Sequence, residues 1–88
     1  MRYTEAIGIR LGELLKENKL TQRAFALCCG VSRITINRTI KGKIKTITFE
    51  ILIKYCETLN ISFADFFSSD LFSDRLEMEE KKKGRRII

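Results

Sequence analysis

Apolar positions along this chain recur with a helical period, in short runs separated by turn residues. Ile7, Leu11, Leu14 and Leu15 lie on one side of a first helix that ends near Asn18, with charged residues filling the gaps and Thr4 placed to cap it. Thr21 caps a short second helix, residues 22–29, whose apolar contacts are Ala24, Phe25 and Cys28. Gly30 interrupts the pattern where a tight helix exit needs positive φ. Ser32 then caps a third helix, which Gly42 terminates.

Thr48 opens a fourth helix, residues 49–59, with Leu52, Ile53, Cys56 and Leu59 on its inner side and Asn60 as a left-handed stop. Ser62 caps a fifth, short and aromatic, in which Asp65 completes a capping box. The aromatic set Phe25, Phe49, Phe63 and Phe66 reads as core. Regularity fades near Ser68. The expectation is an all-α fold of five helices in one domain, residues 1–68, followed by a short charged C-terminal extension, residues 69–88. Glu77/Lys81 and Glu79/Lys83 are spaced to support a marginal helix there, and the KKKGRR run floats in solvent or grips a polyanion.

Composition fits this picture. Eighty-eight residues with 44% apolar content suffice for one small core, and the absence of proline suits a mostly helical chain. No uncharged stretch is long enough to cross a bilayer, so no membrane partner is expected and the localisation reads as cytoplasmic. Cys28, Cys29 and Cys56 are an odd set without C-x-x-C spacing, and there is no histidine. Cys28 and Cys56 therefore read as small buried hydrophobes, with no metal site and no cofactor. No nucleophile–base pair stands out either, so an enzyme is not expected.

Charge changes the picture more. Between Asn18 and Phe49 there are seven basic residues, Lys19, Arg23, Arg33, Arg38, Lys41, Lys43 and Lys45, and no acidic one. Outside that window ten basic residues meet eleven acidic ones, so the excess of +6 sits in one place. A positive field concentrated on two short helices and their turn is the footprint of a protein that docks on a phosphate backbone. With Ile36 pointing inward at 100° per residue, Thr39 and Ile40 follow it, while Ile34, Asn37, Arg38 and Lys41 point out and Arg33 and Thr35 flank them. Arginine can bond guanine twice, asparagine can do so with adenine, and an apolar side chain can meet a thymine methyl. Arg23 points out from the second helix, where a solvated charge is as good a reading as a contact.

The run LTQRAFALCCGVSRITINRTIKGK, followed by TFEILIKYCETLNISFADFF, resembles the Cro/repressor-like helix-turn-helix domain, also called the xenobiotic-response-element family. Gln22, Ala26, Gly30, Val31, Ile36, Gly42 and the closing NISFADFF sit where that family pattern has them, and residues 7–67 are covered. The resemblance implies a lambda-repressor-like five-helix domain whose helices 2 and 3 form the helix-turn-helix, with helix 3 entering the major groove of double-stranded DNA. Carried over, Gln22 meets a phosphate or base edge. Arg33, Ile34 and Arg38 read bases, and Thr35 and Asn37 assist at the rim. Ser32 opens the recognition helix beside the DNA, and Lys41, Lys43 and Lys45 meet phosphates. Thr39 stands where the family usually has an aliphatic residue, and Ile40 where it often has Glu, which implies a different inner contact for helix 3.

The function so implied is sequence-specific DNA binding by a repressor-like regulator of bacterial or phage type. Two alternatives share the fold: an antitoxin whose tail binds a toxin, and a protein-interaction module with no DNA role. A homodimer is expected, paired through Phe66, Phe67, Leu71, Phe72 and Leu76, with the tail open to a protein partner.

Overall fold

A computed structural model describes residues 2–72. Among them are five α-helices, α1 (Tyr3–Glu17), α2 (Gln22–Cys29), α3 (Arg33–Ile40), α4 (Phe49–Leu59) and α5 (Phe63–Phe66), then a 3-10 turn, Asp70–Phe72, and no strand. None of these helices is long and apolar enough to cross a membrane. The marginal helix over residues 77–83, the KKKGRR run and Leu76 lie outside the described residues.

Helix boundaries follow from local hydrogen bonding. The hydroxyls of Thr21, Ser32, Thr48 and Ser62 each accept from the backbone N–H three residues on, at 3.0, 3.1, 3.2 and 3.0 Å. Gly30 at φ 75° and Asn60 at φ 59° close α2 and α4 in the left-handed region. Gly42, at φ 69°, follows the last turn of α3, and the Lys43 N–H reaches back to the Arg38 carbonyl at 2.9 Å. Thr4 departs from the expectation. The α1 cap is Arg2, whose N–H donates to the Glu5 carboxylate at 2.9 Å. The helix thus begins two residues earlier, and Thr4 turns into the core at 3% exposure.

The core is built by α1, α2, α3 and α4 around Leu11, Phe25, Ile36 and Tyr55, all fully buried, with Phe66 inserted from α5. The Phe25 and Tyr55 rings meet at 5.6 Å between centroids. Arg10 ties α5 to α1: its Nε donates to the Phe66 carbonyl at 2.8 Å, and a terminal nitrogen donates to the Asp65 carbonyl at 2.7 Å. These are carbonyls at the C-terminal end of a helix, where a cation is favoured.

The inner faces of α2 and α4 differ in phase from the sequence expectation. Cys29, not Cys28, is buried with Phe25, because i and i+4 share a face; Cys28 is exposed and Ala24 half-buried. On α4 the inner side is Leu52, Tyr55, Cys56 and Leu59, while Ile53 is exposed. Phe49, at the first turn of α4, is 65% exposed and touches Phe63 edge-on at 5.0 Å instead of entering the core.

The surface expected to pair two copies is largely interior. Phe66 and Leu71 are buried, and Phe67 and Phe72 are half-buried against the core with ring centroids 4.8 Å apart. The 3-10 turn folds back on α1 and covers apolar area that would otherwise face water.

The backbones of α1 and α3 approach closely at Gly8. A Cβ on Gly8 would collide with the Thr39 carbonyl oxygen and sit 2.8 Å from that of Ile40. A glycine at this position lets α1 lie directly against the last turn of α3, and so fixes how far α3 stands out from the body.

Candidate nucleic-acid interface

α3 is held from inside by Ile36 and Thr39, both fully buried, and Ile40 packs against the core from the half-buried flank. The residues between them are thereby turned outward. Ile34 is 71% exposed, and Arg33, Arg38 and Lys41 are exposed with it. The helical phase read from the sequence therefore holds for Ile34, Arg38 and Lys41, while Asn37, expected to point out, is half-buried.

Gln22, Arg33, Ile34, Asn37 and Arg38 line one open concavity of about 540 Å³ between the start of α2 and the outer face of α3. Asn37 is half-buried, and its Nδ2 donates to Gln22 Oε1 at 3.1 Å, linking the two helices across the groove. Ser32 and Thr35 are occupied with each other. The Ser32 hydroxyl accepts from the Thr35 N–H and donates to Thr35 Oγ1 at 2.9 Å. Lys41, Lys43 and Lys45 are exposed and alternate with half-buried Gly42 and Ile44 along the segment leaving α3. They do not line the concavity but extend its positive edge. Arg23, which sequence reasoning left open, lines a neighbouring hollow with Thr21 and Arg33. Its signal was the absence of any acidic residue near it in the chain.

Burial pushes the Cys29 and Cys56 thiols above their ordinary value, which keeps them protonated. That is the reverse of what an attacking thiolate requires. Among the described residues no cluster of His, Cys, Asp and Glu could hold a metal ion.

A family model for the Cro/C1-type HTH DNA-binding domain matches residues 10–70 of the chain. No curated protein sequence matches it. Among solved structures, the prophage Lp1 protein 11 is 31% identical, with a TM-score of 0.72 over 84% of this chain and 99% of that one. The clp gene regulator ClgR from Corynebacterium glutamicum is 26% identical, with a TM-score of 0.73 over 93% of this chain and 86% of that one. The restriction-modification controller protein C.AhdI from Aeromonas hydrophila is 23% identical, with a TM-score of 0.68 over 73% of this chain and 96% of that one, and shares the fold.

Proposed function

Since the chain belongs to the Cro/C1-type helix-turn-helix DNA-binding family and is a DNA-binding transcriptional regulator, we propose that it acts by placing α3 in the major groove of an operator. One observation carries this docking: Arg33, Ile34 and Arg38 project together from a helix whose opposite face is buried, in a window without a single acidic residue. Arg33 and Arg38 meet guanine edges, and Ile34 meets a thymine methyl. Gln22 and Asn37, already bonded to each other, act as one unit at the groove's edge. Ser32 and Thr35 hold the start of α3 against the backbone, and Lys41, Lys43 and Lys45 neutralise phosphates beyond its end.

The DNA-binding unit is residues 1–68, with residues 69–88 as an extension whose first part, the 3-10 turn, packs back on α1. The chain does no chemistry, and it works in the cytoplasm on the nucleoid. It binds as a homodimer, because one recognition helix spans too few base pairs for useful specificity and two-fold pairing doubles the reach. That pairing does not draw on Phe66 or Leu71, which are buried within the protomer.

Selection of bound sequences from a random duplex library, followed by titration of the preferred site against salt, tests the reading. With about five or six phosphates neutralised per protomer, log K falls with log salt at a slope of roughly −5. Equal affinity for all duplexes in competition, or a slope near zero, would sink it. Sedimentation of the chain with and without its operator tests the dimer.

A further inference from the structure

Among the described residues, two side-chain hydrogen bonds tie α3 to other helices. Asn37 Nδ2 donates to Gln22 Oε1 on α2 at 3.1 Å. Two residues further on, Thr39 Oγ1 meets the Tyr55 hydroxyl on α4 at 2.9 Å. Residues two apart on a helix lie about 200° apart around its axis, so the two bonds act on nearly opposite sides of α3. Arg38 lies between them in the chain and is exposed. We infer that Tyr55 is a positioning residue for base recognition: through Thr39 its hydroxyl fixes the rotation of α3 about its axis and so aims Arg38 and Ile34. This role rests on the docking proposed above and adds to it a residue that never meets DNA. Tyr55 and Thr39 are both fully buried, and neither belongs to the outward face.

The bond defines one arrangement of its partners. Thr39 Oγ1 donates to the Thr35 carbonyl at 2.8 Å, so the proton shared with Tyr55 comes from the tyrosine. With both bonds made, the Thr39 side chain is held in one rotamer. The same line of bonds continues to the start of the helix, where the Thr35 N–H donates to the Ser32 hydroxyl at 3.1 Å. The Thr39 carbonyl meanwhile faces Gly8 on α1, where a Cβ would not fit. The last turn of α3 is thus confined by α1 and oriented by α4.

A small rotation matters more to base edges than to phosphates. Hydrogen bonds weaken steeply as their angles close, so this one sets a direction as well as a distance. A helix with its side chains is about 10–12 Å across, and turning it by about 10° moves an outward group by roughly 1 Å. A two-bond contact between a guanidinium and a base edge has to be met within about 0.5 Å and 10–20°. A lysine ammonium meeting a phosphate is a point charge on a flexible stem and follows such a shift. Loss of the Tyr55 hydroxyl should therefore be read in base preference and not in the phosphate contacts.

The test uses the full chain and its selected operator, well below the melting temperature of each variant. Tyr55→Phe removes one oxygen and keeps the ring against Phe25. It should bind the preferred operator about tenfold more weakly, bind random duplexes as before and keep the wild-type salt slope. Selection from a random library should show preference relaxed at the base pair that Arg38→Ala also relaxes. Added to Arg38→Ala, Tyr55→Phe should lower the ratio of operator to random affinity little further. Thr39→Val, close in shape but without a hydroxyl, should share the Tyr55→Phe profile, and Thr39→Ser, which keeps the hydroxyl, should keep the wild-type preference. A purely structural role predicts another result, since partial unfolding withdraws the same fraction of protein from operator and random duplex and leaves their ratio unchanged. If Tyr55→Phe keeps that ratio, or Thr39→Ser loses preference as Thr39→Val does, Tyr55 does not position α3 while the operator reading stands. If the wild type itself binds all duplexes alike, the docking reading fails and the role of Tyr55 falls with it.

Discussion

Thr39 and Tyr55 join hydroxyls at 2.9 Å inside the core, one at the last turn of α3 and the other midway along α4, and neither is exposed at all. Thr39 Oγ1 also donates to the Thr35 carbonyl at 2.8 Å, so the shared bond takes its proton from Tyr55. Both polar groups are thereby satisfied without water. This is the inner contact that replaces the aliphatic residue usual at that place in the family. It ties α3 to α4 through a directional bond.

A double-mutant cycle measures that bond. Thr39→Val leaves the Tyr55 hydroxyl buried without an acceptor and should cost about 1–3 kcal/mol, while Tyr55→Phe removes one hydrogen bond and should cost about 0.5–1.5 kcal/mol. The double variant should cost clearly less than the sum, since each single change already breaks the same bond. Urea unfolding of the four proteins gives the coupling. Strict additivity would mean the two hydroxyls do not stabilise one another.

Gly8 and Gly12 should respond oppositely to alanine. At Gly8 a Cβ meets backbone carbonyls of Thr39 and Ile40, which cannot step aside as a side chain could. Gly8→Ala should lose about 1–3 kcal/mol by overpacking, and it should weaken DNA binding by tilting α3. At Gly12 the nearest foreign atom is Ile40 Cγ2 at 3.6 Å, an ordinary contact. Gly12→Ala should gain about 0.5–1 kcal/mol from helix propensity. Thermal melts of both variants decide. Equal effects would contradict the close crossing of α1 and α3.

Most of the fold was legible because its punctuation is local. Thr21, Ser32, Thr48 and Ser62 bond to amides three residues away, and Gly30, Gly42 and Asn60 adopt positive φ within their own turns. The misreadings concern phase in short helices. Neighbouring cysteines in an eight-residue helix differ by one 100° step, and Phe25 alone did not settle which faced inward. Hydropathy ranks Ile53 above Tyr55 for the inner side of α4, yet a tyrosine with a buried partner for its hydroxyl fills more volume. Gly8 could not be read at all, since what it avoids lies more than thirty residues away in sequence. On the candidate site, the outward set of α3 followed from Ile36. The engagement of Asn37 with Gln22 needed the actual distance between helices.

Ile34 projects from α3 at 71% exposure with no part in the core. Ile34→Ala should leave folding stability within about 0.5 kcal/mol of wild type, with alanine's helix propensity a small gain. It should weaken binding to the preferred site by about 1–2 kcal/mol through lost apolar contact in the groove. Melting curves and a binding isotherm on the same samples separate the two. A drop in stability without a loss of affinity would place Ile34 in the wrong role.

Stability should fall at alkaline pH. Burial raises Tyr55 above its ordinary 10.0, and raises Cys29 and Cys56 above 9.0. Each group binds its proton more tightly in the folded state. Stability is therefore unaffected below the unfolded values and declines from about pH 9 upward, as the unfolded chain ionises first. Urea midpoints from pH 7 to 11 should show that decline, and Cys29→Ala with Cys56→Ala should shift its onset toward the tyrosine range. An onset unmoved by removing both thiols would assign the decline to other groups.

Arg38 and Lys43 sit five residues apart and should fail differently. Arg38 is exposed on the outward face of α3 and lines the concavity beside Ile34. Its replacement by alanine should cost about 1–3 kcal/mol on the preferred operator and relax preference at one base pair. Lys43 lies past Gly42, outside that concavity, where an ammonium can meet only the backbone of a duplex docked on α3. Lys43→Ala should weaken all duplexes about equally and reduce the salt slope by about 1. Its melting temperature should not move, because the side chain is exposed and forms no ion pair among the described residues. Parallel selections with the two variants give the comparison directly. Specificity profiles that change in the same way would mean that α3 does not lie in the groove as proposed, because only one of the two side chains can then reach a base edge.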